Sequence, residues 1–415
     1  MNRRRVAITG LGLVSPYGGD LADFFARLSA GESAIRYLLT DDQPRPLSIP
    51  FVNCPAFDPD AVLGKPLASM MDRFAQLGMA AAFGAWDDAG LPRQAEGESR
   101  DSWGVSWGTA LGGTLAYEKG YRELWQKGRE RLSPLAVVLG MNNAANAHIS
   151  IQLGLGGISM SHTVACASSA IAIGEAFRRV RSGEATIMLT GGSDVPQAYG
   201  VARAWEALRV MAPGNAETSP FACRPFGADR RGLVLGEGGA ALVLEDWEHA
   251  VARGARIHGE MLGYGTSCDH SHLVRPEVEG QVRALKLTLA DAGLTPADID
   301  YINAHGTATA EGDPVEIGAL KAVFGERAAR LPVSATKSMH GHLLGAAGAI
   351  EAIATVLALR EQRIPPTANL QDNLDPACAG VDHVTTGRRQ TLRAALSNSF
   401  AFGGSNAVLA FRAVA

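Results

Sequence analysis

Apolar, β-branched runs bounded by glycine alternate along this chain with stretches of helical periodicity. RVAITG (5–10), DSWGVSWG (101–108), EATIMLTGG (184–192), GAALVLED (239–246), IDYINAHG (299–306), LPVSAT (331–336), RAALSNS (393–399) and AVLAFR (407–412) read as strands. Most are apolar on both alternating faces, which predicts strands covered on both sides and hence an α/β architecture. In the segment after Cys166, Ala170, Ile173, Phe177 and Val180 share one helical face. Glu175, Arg178, Arg179 and Arg181 fall elsewhere, and Gly183 ends the segment. The apolar stretch from Leu343 to Leu359 is shorter than a membrane span, rich in alanine and contains Glu351, so it reads as a buried helix.

The pattern repeats. A helical segment ending DDAGLP (87–92) precedes the strand SWGVSWG, and one ending DAGLTP (291–296) precedes IDYINAHG. Each DAGL fits a helix stopped by glycine. Each half then has a small-residue turn opening an apolar helix, VACASSAIAIGEAF (164–177) and GHLLGAAGAIEAIA (341–354). The order strand, helix, strand, turn, helix is used twice. This predicts two intimately packed, duplicated halves, residues 1–250 and 251–415, with no Pro/Ser-rich linker between them.

Composition narrows the class. The chain has 415 residues, 47% of them hydrophobic, and a formal net charge of −4, so nothing global favours nucleic acid or an anionic membrane as partner. The five cysteines are odd in number and none has CxxC spacing, which argues against a zinc site or disulfide framework and for a reduced, cytoplasmic setting. The opening MNRRRVAITGLGLV places arginines before an apolar run, but glycines cut the run short and it lacks a cleavage site. It is expected to be a strand rather than a signal peptide.

Four stretches carry candidate chemistry. Cys166 falls just before a helix N-terminus, where unpaired N–H groups favour an anion and lower a thiol pKa by about one unit. A small buried packing cysteine fits the same position. His305 follows a strand and precedes a Gly/Thr loop, and strand ends are where α/β proteins tend to hold their sites. Lys337 and His342 lie between a strand and an apolar helix, with His340 a less favoured neighbour. Taken alone, Lys337 also fits a surface lysine and His342 a helix cap. In SNSFAFGGSNAV (397–408) Gly403 and Gly404 permit positive φ, as a hairpin turn needs. One thiol, two histidines and one lysine on turns suit covalent acyl chemistry followed by carbanion formation.

At these stretches the chain resembles the β-ketoacyl-[acyl-carrier-protein] synthases of the synthase II type. VACASSA is similar to their nucleophile motif, NAHGTATAEGD to the first histidine motif, SATKSMHGHLLGAAG to the lysine and second histidine motif, and NSFAFGGSN to the gating loop. Residues 224–246 also match, and the similarity runs from about Arg4 to Phe411. The resemblance implies a thiolase-like fold in an α-β-α-β-α arrangement, and a homodimer or a heterodimer with a chain-length-factor-like subunit. It implies Cys166 as nucleophile, His305 and His342 as donors to an enolate, Lys337 as orienting charge, and the N–H groups of Cys166 and Phe402 as an oxyanion hole. Phe402, with Phe400 beside it, would gate the acyl pocket, and Thr307 and Thr309 would bind the pantetheine arm. No metal or other cofactor is implied, since substrates arrive on the phosphopantetheine of acyl carrier protein. An acidic carrier is expected on basic residues near the tunnel, with Lys65, Arg73, Lys127 and Arg209 as candidates.

The activity implied is decarboxylative condensation of a Cys166-bound acyl group with malonyl carrier protein in fatty-acid elongation. A pathway-specific type II polyketide or polyene ketosynthase is the alternative, and a non-catalytic acyl-binding scaffold the alternative of another class. A degradative thiolase is disfavoured because Cys378, in DPACAG, stands in the wrong motif for its second cysteine. Departures from the family pattern are His340 and Val274 where threonine is common, Ala401 for glycine, and Ser405 for threonine. They bear on gating and substrate choice.

Overall fold

In the computed structural model of the chain, which describes residues 3–40, 45–94, 97 and 99–414, the predicted strands all form. The elements that build the site are β1 (Val6–Val14), α1 (Arg73–Asp88), β2 (Trp103–Gly108), β3 (Ser159–His162), α2 (Ser168–Ser182), β4 (Ile187–Asp194) and β5 (Gly238–Asp246) in the first half. The second half contributes β6 (Gly259–Cys268), α3 (Val278–Ala292), β7 (Tyr301–Asn303), α4 (Gly312–Phe324), β8 (Pro332–Ser334), α5 (Ala347–Glu361), β9 (Asp382–His383), β10 (Ala394–Ala401) and β11 (Ser405–Arg412).

The strand order is β9-β8-β7-β10-β11-β6-β1-β5-β4-β2-β3. From the centre outwards each half runs first strand, last, last but one, second, third, with β9 added at the outer edge of the second half, which is the duplication read from the sequence. In each half the last strand is antiparallel to both neighbours, while the outer pairs are parallel. The halves join through three antiparallel pairs, from Val6↔Met261 to Ile8↔Gly259.

Alternation along β5 and β11 separates three apolar cores. Ala240, Leu242 and Leu244 of β5, with Ala407, Leu409 and Phe411 of β11, face a central core filled by α2 and α5. Ala241 and Val243 face an outer core with α1, and Val408 and Ala410 face the other outer core with α3 and α4. Helix, sheet, helix, sheet, helix is the resulting layering. Both faces of every central strand are therefore dry, which explains their unbroken apolar runs. Helix α5 is buried from Ala347 to Leu359, Glu351 included, as its composition predicts.

Strand β6 escapes the sequence pattern because glycines interrupt it. A side chain at Gly263 or Gly265 would collide with the backbone of α3, at 2.7 Å from Ala292 N and 2.5 Å from Ala284 O. The short edge strand β3 and the hairpin Arg36–Thr40/Leu47–Val52 also lack a strong apolar signal.

Candidate active site

The turn between β3 and α2 carries Cys166. Ala165 adopts φ 45°, and the Ser168 hydroxyl locks the turn by accepting from Val164 N (2.8 Å) and donating to Ala165 O (2.7 Å). A Cβ at Gly108 of β2 would sit 2.4 Å from the Ser168 carbonyl carbon, so the strand meets the helix start only as glycine. Cys166 is thus held two residues before α2, where the sequence places it. The backbone N–H groups of Phe402 and Cys166 are close enough to its Sγ to favour the thiolate. The lowering expected from backbone N–H groups at this turn is present but outweighed. Burial pushes the thiol up to about 12, and the positive charge of Lys337 and the two amides only partly offset it. A helix terminus is weaker than full desolvation, so the resting group is a thiol.

His305 lies two residues beyond β7. Its backbone N–H and that of Gly306 donate to the two oxygens of Glu316 on α4, each at 2.8 Å. Its ring Nδ1 lies 3.2 Å from Lys337 Nζ. The ammonium can only donate, so Nδ1 accepts and the proton sits on Nε2. Lys337 is fully buried and ion-paired with Glu351 of α5. It is not a surface residue, and burial raises Glu351 to about 7 against the pull of that lysine.

His342 is fixed by its backbone, donating to Val234 O (2.7 Å) and accepting from Gly236 N (3.0 Å). Both of its ring nitrogens are buried without a protein partner, so it is not the cap of a helix. The His305 and His342 rings meet edge to face with centroids 5.5 Å apart, and Phe400 packs on His305 at 6.0 Å. Desolvation, then the charge of Lys337, holds both histidines well below the usual imidazole value. Ligand atoms of Cys166, His305 and His342 all lie within 4.8 Å of one another. A sulfur and two nitrogens at such spacing are a donor set a soft cation can use. Here the sulfur is protonated, and two neutral donors beside a thiol equally suit an oxyanion or enolate.

These groups line a cavity of ≈ 360 Å³ together with Thr307, Thr309, Phe400, Ala401 and Phe402. The threonine hydroxyls are 3.0 Å apart. Phe402 falls in the three-residue turn of the β10–β11 hairpin, followed by Gly403 and Gly404 at φ 84° and 74°. The hairpin and gating-loop readings therefore describe one segment. Val274 lines the cavity, and Leu273 O accepts from Gly403 N at 2.6 Å. His340 is buried beside the site rather than in it, bridging Thr336 Oγ1 (3.0 Å) and Gly341 O (2.8 Å).

Of the basic candidates only Arg209 lines the cavity, with the exposed Arg231 and Arg275. Lys65 and Lys127 are exposed but not among its lining residues. Arg73 is engaged elsewhere, held by the buried Glu237 at 2.6 and 2.7 Å. Sequence reasoning missed Glu316 and Glu351 as supports of the site. The signal for Glu351 was present, a lone charge in an apolar helix. Nothing in the spacing of Glu316 distinguishes it from a solvated helix face.

A duplicated five-layer α/β fold with a thiol and two imidazoles converging between its halves defines a thiolase-like condensing enzyme. The chain belongs to the β-ketoacyl synthase family: Beta-ketoacyl synthase, N-terminal domain matches residues 3–250, and Beta-ketoacyl synthase, C-terminal domain matches 258–371. It is 43% identical over 411 residues to Nodulation protein E of Rhizobium leguminosarum bv. trifolii, covering 99% of this chain and 100% of that protein. It is 39% identical over 412 residues to 3-oxoacyl-[acyl-carrier-protein] synthase 2 of Coxiella burnetii, covering 99% and 98%. Among solved structures, the ishigamide ketosynthase/chain length factor superposes with a TM-score of 0.90 at 34% identity, covering all of both chains.

Proposed function

We propose that this chain catalyses decarboxylative condensation of an acyl group with malonyl-[acyl-carrier-protein], lengthening the chain by two carbons. The observation that carries this reading is the convergence of the Cys166 thiol and the two neutral imidazoles in one cavity. Cys166 attacks the thioester carbonyl, and its proton passes to the departing pantetheine sulfur. The new sulfur–carbon bond replaces that to pantetheine, whose thiolate leaves and is protonated. The amides of Cys166 and Phe402, close to the sulfur, are the donors this reading assigns to the carbonyl oxygen as it becomes negative. In malonyl carrier protein the bond to the carboxylate then breaks and CO₂ leaves. The electron pair forms an enolate whose oxygen accepts from His305 Nε2–H and His342. The enolate carbon attacks the acyl carbon, and the Cys166 sulfur departs as a thiolate that takes up one proton from solvent to restore the thiol.

Thr307 and Thr309, on the cavity wall, suit the amides and hydroxyl of a pantetheine arm. Arg209, Arg231 and Arg275 are exposed residues of the cavity lining, against one exposed acid there, Glu311, and that balance suits an acidic carrier. The reaction as written draws only on side chains, amides and thioesters. The reading includes a dimeric enzyme in a cytoplasmic setting; no helix among the described residues is long and apolar enough to cross a membrane. Val274 and Ala401 on the cavity wall, and the likeness to a ketosynthase paired with a chain length factor, favour a second reading as a pathway-specific ketosynthase with such a partner.

The test is product analysis. Purified protein given a panel of acyl carrier proteins and malonyl carrier protein is expected to yield β-ketoacyl carrier protein and CO₂. CO₂ and product both absent, with every chain length and with a chain-length-factor partner supplied, refute the reading.

A further inference from the structure

Trp205 has no place in the chemistry above, yet its ring lies on the Phe402 ring, with centroids 5.8 Å apart and planes at 21°. The helix that carries it, Tyr199–Ala207, is firmly mounted. Arg203 donates to the carbonyls of Arg45 and Pro46 at 2.9 and 2.8 Å, Gly200 N donates to Glu118 at 2.8 Å, and Ala202 is buried. Phe402 sits on the opposite kind of support, ahead of Gly403 and Gly404 at positive φ, and a Cβ at Gly403 would meet nothing within 4 Å. An aromatic on a glycine turn therefore rests on one carried by a tethered helix, and both rings line the cavity that holds Cys166.

We infer that Trp205 is a specificity-determining residue, the fixed face onto which Phe402 closes, and that it sets how strongly the site discriminates against long acyl chains. The inference rests on the proposed condensing activity and on the gating role that the resemblance implies for Phe402. A long chain entering past Phe402 must separate the two rings, whereas an acetyl group needs little or no displacement. Offset-stacked rings attract each other beyond their shared burial, enough to bias the closed position by about threefold to tenfold. The bias opposes long chains selectively. Any loss of order in the Phe402 N–H slows acylation by both kinds of donor and cancels in their ratio.

The experiment measures Cys166 acylation by dodecanoyl and acetyl carrier protein, followed by intact-protein mass spectrometry, in wild type, Trp205→Ala and Trp205→Phe. Trp205→Ala is expected to raise the dodecanoyl-to-acetyl rate ratio about threefold to tenfold, while Trp205→Phe stays within about twofold of wild type. In a Phe402→Ala background Trp205→Ala is expected to change the ratio no further. An unchanged ratio in Trp205→Ala, an equal rise in Trp205→Phe, or a rise that persists without Phe402 each overturns the inference. The last would mean that removing the indole merely makes room. Should Trp205→Ala fail to fold, Trp205→Leu takes its place with the same expectations. Wild-type protein that takes neither acyl group refutes the proposed function itself and is told apart by that control.

Discussion

Lys337 Nζ lies 3.2 Å from His305 Nδ1 while also holding the Glu351 carboxylate, so one buried cation assigns the tautomer of an imidazole facing the nucleophile. The chain of contact runs from α5 through Glu351 and Lys337 to His305, and it leaves Nε2–H as the donor that enters the cavity. Sequence position alone gave Lys337 no such role.

Lys337→Met is expected to lower malonyl decarboxylation by about 100-fold, the low end of what a misplaced proton donor costs. The ring then loses the partner that keeps Nδ1 unprotonated. Acylation of Cys166 should fall less, because the oxyanion amides are untouched. Single-turnover CO₂ release and acyl-enzyme formation, measured side by side, check the split. Equal losses in both steps would assign Lys337 to the nucleophile instead.

The pH dependence follows from the same groups. Burial and Lys337 hold His305 and His342 well below 6.5. The neutral form then persists as pH falls and is lost only near the depressed values. No histidine limb is expected in malonyl decarboxylation between about pH 8 and about pH 6, where an ordinary histidine would already be more than half protonated, so any change in that window belongs to Glu351, raised to about 7. An acid limb centred at about 6.5 that Glu351→Gln does not remove contradicts this.

Glu351→Gln leaves the Lys337 ammonium buried without a counter-charge, a change that typically costs about 3–5 kcal/mol. A urea titration should show the loss as a lower midpoint at unchanged slope. Replacing both partners, as Lys337→Met with Glu351→Leu, should restore most of the stability but none of the activity. A double variant as unstable as the single one would mean that packing, not charge, dominates there.

The two central helices meet at Gly348 of α5, where a Cβ would lie 2.8 Å from both Ala170 Cβ and Ala170 N of α2. Gly348→Val is expected to destabilise the protein by about 1–3 kcal/mol through overpacking. Because α2 begins two residues after Cys166, turnover should fall as well. Thermal unfolding with steady-state rates provides the check, and a variant with native values of both would show that the helices can part without consequence.

The layers were legible because β5 and β11 carry apolar side chains on both faces and because DAGL marks two helix ends. Strand β6 was not, since Gly263 and Gly265 trade strand propensity for contact with α3. At the site, the turns bearing Cys166, His305 and His342 stood out by their place after strands. The thiol's elevated pKa did not, because desolvation is a property of the packed layers and not of any local motif. Arg73 illustrates the same limit, its charge absorbed by Glu237, which lies far from it in sequence.

The most direct test of the central claim follows the mass of the intact protein through one cycle. After mixing with an acyl carrier protein, one acyl group should appear on the peptide containing Cys166. It should then vanish when malonyl carrier protein is added, in step with CO₂ release and a carrier-bound β-keto product. Cys166→Ser should form no product. Label on another residue, or an acyl group on Cys166 that malonyl carrier protein never discharges, would contradict the account.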